Sequence, residues 1–138
     1  MKLFRIIIWC LLVLVSCNKE TLRMDNFLIH GIDVSHHQSY INWEQVASND
    51  IHFAFMKATE GVSLVDSMYC DNWDGASKTP LKKGAYHFFR PTVSAQEQFE
   101  NFTMMVQLED GDLPPVLDIE VTDGVKNPLL VNNCKKWL

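Results

Sequence analysis

The sequence carries no excess of basic residues: 12 Lys and Arg stand against 17 Asp and Glu among 138 residues, a formal net charge of −5. That balance excludes nucleic acid as the expected partner. Nor does it hold an apolar run long enough to cross a bilayer, since the run Ile6 to Val15 is about half of the roughly 20 residues a spanning helix needs. Cysteine is scarce and unpatterned, with Cys10, Cys17, Cys70 and Cys134 the whole set and no C-x-x-C or Cys/His cluster spaced for zinc. No metal and no cofactor is expected. What remains is an ordinary globular composition, 47% hydrophobic, sufficient for one domain.

The first residues stand apart from the rest. Lys2 and Arg5 precede the apolar run, which stops at Ser16 and Cys17. A positive start, a short apolar stretch and a small residue describe a secretory signal over residues 1–16. "LVSC" (Leu14 to Cys17) resembles the bacterial lipobox, which makes Cys17 the lipidated first residue of the mature protein. The expected setting is an exported, membrane-anchored lipoprotein of a bacterial cell envelope. The polar stretch that follows, through residue 26, reads as a tether, and the folded domain is expected over 27–138. Cys70 and Cys134 then remain, each at an apolar position of an expected helix, where a free thiol acts as a small hydrophobe.

From Phe27 onward, apolar runs beginning near Leu28, Ile51, Lys83 and Pro115 alternate with stretches of helical period. In the second such stretch Val65, Tyr69, Asn72 or Trp73, and Ala76 recur at helical spacing. In the third, Ser94 and Glu97 form a capping box and Ala95, Phe99, Phe102 and Val106 share a face. Asn127-Pro128 opens a last helix with Leu130, Cys134 and Leu138 on one side. Four successive βα units predict an α/β fold with parallel strands and right-handed crossovers, whose sites gather at the carboxyl ends of the strands. Asp33, Glu60, the stretch His87 to Arg90, and Asp118 with Glu120 fall at those four ends.

The last pair carries the most chemistry. In "LPPVLDIEVTDG" (Leu113 to Gly124), strand alternation puts Asp118 and Glu120 on one face and Leu117, Ile119 and Val121 on the other. Two carboxylates held close raise the proton affinity of at least one of them, the condition for acid catalysis.

"GIDVSHHQ", "FAFMKATEG", Val65-Asp66, "KKGAYHFFRP" and "PVLDIE" occur in the order seen in glycoside hydrolase family 25, the Chalaropsis-type lysozymes, and the chain resembles that family from Ile29 to about Asp123. The resemblance implies a TIM-like (β/α) barrel and an N-acetylmuramidase. Such an enzyme hydrolyses the β-1,4 bond between N-acetylmuramic acid and N-acetylglucosamine in a peptidoglycan glycan strand. By the same resemblance Glu120 is the general acid, Asp118 its paired carboxylate and Asp33 a further acid of the cleft. Tyr86, His87, Arg90 and Glu60 are candidate substrate contacts. Alternation turns about half of the "AYHFFRP" residues beneath the helices, and Phe88 or Phe89 is expected in the core rather than in the cleft. Asp66 matches a family motif that either fixes a loop or touches substrate, and His36 and His37 are expected at the surface.

Residues 17–138 hold about the first four βα units, whereas a complete barrel runs to about 250 residues. The expectation is an incomplete barrel with an exposed strand edge, prone to self-association, and with Phe53, Phe55 and Val116 left against water. An inactive, lipid-anchored carbohydrate-binding or interaction module is the alternative to a working muramidase.

Overall fold

The computed structural model describes residues 27–138. The expected signal peptide, the lipid site Cys17 and the tether lie outside the described residues. Nine elements follow in the order β1 (Gly31–Val34), α1 (Trp43–Ala47), β2 (Phe53–Glu60), β3 (Leu64–Val65), α2 (Tyr69–Ser77), β4 (Lys82–Phe88), α3 (Ala95–Met105), β5 (Val116–Asp118) and α4 (Asn127–Trp137). A 3₁₀ turn at His36–Gln38 leads out of β1, capped by the Ser35 side chain. Among the described residues no helix is long and apolar enough to cross a membrane.

Four strands pair in parallel in the order β1-β2-β4-β5, as the βα repeat predicts. Strand β3 is the departure. It folds back antiparallel on β2, pairing Thr59 with Val65 and Glu60 with Leu64, through a turn in which Gly61 takes φ 54°. A two-residue strand is too short for alternation to register, and Val65 belongs to it rather than to the helix, which starts at Tyr69.

Alternation divides the sheet into two faces. Val34, Ala54, Met56, Ala58 and Ala85 lie on the helix-covered face and are buried. Small residues dominate there because the helices sit close. The opposite face carries Asp33, Phe53, Phe55, Lys57, Tyr86 and Val116, and it is more open: Phe53, Phe55 and Tyr86 are half-buried and Val116 is 36% exposed.

The helices bury different residues from those their apolar periodicity suggests. In α3, Ser94 caps the first turn by accepting from the Glu97 amide at 3.3 Å, so one half of the capping box forms. Ala95 and Phe102 are buried as expected, but Phe99 is 39% exposed, and Gln98 and Asn101 are buried instead. The reason is polar satisfaction: Asn101 Nδ2 donates to the carbonyl of Gly61 at 3.0 Å and so ties α3 to the β2–β3 turn. In α4, Cys134 and Trp137 are buried while Leu138 is 83% exposed. The Trp137 ring stacks on His87 at 5.5 Å and meets Phe102 edge-on at 5.4 Å. A large aromatic three residues after Cys134 draws the helix face toward it and away from Leu138. Cys70 is exposed on α2, against the expectation of an apolar position, and both it and Cys134 are free thiols.

Helix α2 meets α1 at a glycine. A Cβ on Gly75 would lie 2.3 Å from Cδ1 of Trp43, a side chain only 6% exposed and without room to retreat. Gly75→Ala is expected to destabilise the fold by about 1–3 kcal/mol despite alanine's better helix propensity. Chemical denaturation of the two proteins side by side measures it; equal or greater stability of the variant would contradict the packing described.

Candidate active site

Parallel strands bring their carboxyl ends to one rim, and a cleft of about 370 Å³ opens there. Asp33 from β1, Phe55 from β2, Tyr86 from β4, and Asp118, Ile119 and Glu120 from β5 and the chain just beyond it line this cleft. Asp33 pairs with Phe55, and Phe88 with Asp118, across adjacent strands. The three carboxylates expected from sequence therefore share one cavity with Tyr86. Ile119 does not turn away as alternation predicts, because β5 ends at Asp118; it borders the cleft and is 44% exposed.

The electrostatics follow from the crowding. Partial burial, then the charges of Glu120 and Asp33, push Asp118 above the ordinary carboxylate range, with Lys57 opposing. Burial, followed by the charges of Asp33, Asp118, Asp66 and Glu120, pushes the Tyr86 phenol up as well. Tyr86 therefore stays a protonated hydrogen-bond donor in the middle of an anionic rim.

Glu60 and Arg90 meet beside the cleft. The Arg90 guanidinium reaches Glu60 through Nε at 2.8 Å and through an Nη at 2.6 Å, and Lys57 Nζ donates to the other Glu60 oxygen at 2.5 Å. Burial would raise the Glu60 pKa, but these two cations outweigh it and hold the carboxylate below its usual range. Arg90 also faces Asp123 at 3.7 Å, where the backbone takes φ 47°. It thereby links β2 to the loop that follows Glu120. Both cations lie over the Phe88 ring, Lys57 at 4.6 Å and Arg90 at 5.1 Å.

Sequence reasoning missed Lys57. Its signal was parity: Phe53, Phe55 and Lys57 share a face, so a lysine in an apolar strand had to enter the cleft side, where it is 7% exposed.

His87 is not brought to the cleft. It is fully buried on the helix face, its Nδ1 accepting from the Thr59 hydroxyl at 2.7 Å and its Nε2 donating to Gln98 Oε1 at 3.1 Å. The neighbouring positions Tyr86 and His87 must face opposite ways, and the fold gives the cleft to Tyr86. Phe89 is fully buried too, while Phe88 is half-buried beside the cations. Asp66 is 3% exposed and fixes loops: it accepts from the backbone and Nδ1 of His36 at 3.1 and 2.7 Å and from the Met68 amide at 3.0 Å. His37 stands exposed beside His36, their rings 4.0 Å apart. A set of metal-capable donors that the sequence spacing concealed, His30, Asp50 and His52, lies away from this rim.

The crowding has a measurable signature. Asp33→Asn removes one of the two charges that raise Asp118, so the Asp118 carboxyl is expected to titrate at lower pH in the variant than in the parent protein. Carbon-13 NMR of the carboxyl resonance reads this directly, and an unchanged or upward-moving titration would show that the two acids do not share a site.

Residues 32–138 match the Glycosyl hydrolases family 25. The chain is 42% identical over 118 residues to protein YegX of Escherichia coli (strain K12), covering 82% of this chain and 43% of that protein. It is 40% identical over 96 residues to Lysozyme M1 of Streptomyces globisporus, covering 67% and 33% respectively. Among solved structures, a family 25 glycosyl hydrolase from Bacillus anthracis superposes with a TM-score of 0.75 at 36% identity, over 80% of this chain and 53% of that one. The bacterial lysozyme from Streptomyces coelicolor superposes with a TM-score of 0.74 at 32% identity, over 82% and 57%. The chain thus spans about half the length, or less, of the relatives it matches. Its parallel α/β sheet, its rim of carboxylates and the match over residues 32–138 agree, and the chain belongs to glycosyl hydrolases family 25.

Proposed function

We propose that this chain is a cell-wall muramidase, hydrolysing the β-1,4 bond between N-acetylmuramic acid and N-acetylglucosamine in peptidoglycan. One observation carries the reading: Asp33, Asp118 and Glu120 converge with Tyr86 on a single cleft at the carboxyl ends of the strands. Glycoside hydrolysis needs a proton for the departing oxygen and negative charge beside a sugar that gains positive charge. Three carboxylates on one cleft, with Asp118 raised by burial and by the charges of Glu120 and Asp33, are the groups that supply both. Glu120, exposed at the mouth of the cleft, is the proton donor. Asp118 sits deeper and, with Asp33, holds the developing charge or steadies the substrate's own N-acetyl group. Tyr86 donates a hydrogen bond from the floor, and the Glu60–Arg90 pair shapes the flank and positions the loop after Glu120. His87 acts from behind, as the packing that fixes β4.

The described strands fit βα units of a (β/α) barrel, and the outer edge of β5 has no neighbouring strand among the described residues. Such an edge, with the apolar residues beside it, favours self-association. A second reading, an inactive carbohydrate-binding or interaction module, draws on the same edge and on the chain's spanning 43% of YegX. Export and tethering through a lipidated Cys17 place either protein on a bacterial envelope facing the wall.

Glu120→Gln is expected to lower peptidoglycan hydrolysis by about a hundredfold or more, the amide having no proton to give. Release of reducing ends from purified wall measures it, with sedimentation of the same wall as a binding readout. Wall binding without hydrolysis in the parent chain would favour the module, and near-parental hydrolysis by the variant would remove Glu120 from its role.

Cys17→Ser is expected to move the protein into the aqueous phase on detergent partition and to abolish incorporation of labelled palmitate, since acyl chains supply about 0.8 kcal/mol of membrane affinity per buried methylene. Label retained by the variant would refute lipidation at this residue.

A further inference from the structure

At the end of the sheet opposite the carboxylate cleft, His30 and His52 stand immediately before β1 and β2. Parallel pairing sets them side by side: the His52 amide donates to the His30 carbonyl at 2.8 Å, and the His30 amide donates to His52 Nδ1 at 3.2 Å. Asp50 joins them from the turn after α1, its backbone at φ 58°. Its carboxylate lies 3.0 Å from His30 Nδ1 and 3.9 Å from His52 Nε2. One donor atom from each of the three residues falls within 4.8 Å of the other two.

We propose that His30, Asp50 and His52 bind a divalent transition ion of the zinc class and so clip the amino ends of β1 and β2 to the turn after α1. The donor set selects the ion. Two imidazoles and one carboxylate suit zinc, nickel or cobalt, whereas magnesium and calcium take shells of oxygen. Three protein donors also leave a tetrahedral position for water. Donors around zinc sit roughly 3.4 Å apart, so the group must contract slightly. It has the freedom to do so: the His30 side chain is 11% exposed and serves as the fixed point, while those of His52 and Asp50 are 45% and 73% exposed.

Proton accounting follows from the present contacts. His30 Nδ1 donates to the Asp50 carboxylate, and when the ion takes Nδ1 that proton moves to Nε2. His52 now accepts at Nδ1; coordination through Nε2 moves its proton to Nδ1 and turns the ring away from the His30 amide. Each neutral imidazole keeps its one proton on the nitrogen that faces away from the ion, so the rings lose none, and a protonated imidazole competes with the ion. The amino end of a barrel is where structure, rather than chemistry, is secured.

Isothermal titration of the purified chain with zinc at neutral pH, with stoichiometry counted per chain so that the self-associated protein reads equally well, tests the site. The expected result is one saturating site and a rise in thermal midpoint of about 5 °C in excess zinc, with no response to magnesium. His52→Ala and Asp50→Asn are each expected to weaken zinc by about tenfold or more, with the zinc-free protein still folding cooperatively, asparagine tolerating the left-handed turn as aspartate does. His36→Ala, at the other end of the sheet, is expected to leave binding intact. Absence of saturable binding, undiminished binding by both variants, or loss of binding in His36→Ala instead would overturn the proposal.

Discussion

Parallel pairing is the constraint on which everything else in this molecule rests. Strands that all run one way deliver every carboxyl end to one rim and every amino end to the other, and alternation assigns each side chain to one of two faces. Asp33, Tyr86 and Asp118 reach the same cleft because each occupies a cleft-facing position on its own strand, in register with its neighbours. A slip by one residue at β5 would exchange Asp118 for Leu117 and dismantle the acid group while leaving the sheet paired. The chemistry therefore depends on register, and register is held from the helix side, where Met56, Ala58 and Ala85 are fully buried.

Much of this was legible in the sequence, and the parts that were not have physical reasons. The βα repeat, the rim position of Asp33, Asp118 and Glu120, and the core assignment of Phe89 follow from periodicity and turn chemistry. His87 was readable in principle, since adjacent strand positions cannot both face the cleft. The reversal at Gly61 was not, because a strand of two residues leaves no period. Periodicity also misassigned Phe99, Leu138 and Cys70, since it ranks positions by apolarity alone. The buried face of α3 was decided by amides, with Gln98 and Asn101 satisfying backbone groups that no apolar residue serves. Ile119 escaped the alternation rule at the point where the strand stopped. His30, Asp50 and His52 lay beyond any spacing rule, being brought together only by the pairing of β1 with β2.

The cations near the rim deserve to be seen with the acids. Lys57 is nearly buried and Arg90 is half-exposed, and both are committed to Glu60. A buried lysine without such a partner would be costly, so Glu60 is what permits positive charge to stand beside Asp118 and temper its proton affinity. The same glutamate, through Arg90 and Asp123, reaches the loop beyond the proton donor. Glu60 therefore acts on the carboxylates without standing among them.

Gln98 holds four groups at once: its oxygen accepts from His87 Nε2 and from the Arg90 amide, and its nitrogen donates to the carbonyls of Arg90 and Val93. Burial holds His87 below the ordinary histidine range, although the hydrogen bond to Gln98 favours the charged ring. The stability His87 lends is thus complete above its unfolded pKa and ebbs as acid is added. Asp118, raised by its surroundings, behaves in the reverse sense: the fold favours its protonated form, and strain there grows as acid is withdrawn. Acidification consequently relaxes one side of a single sheet while loading the other, across a layer one strand thick.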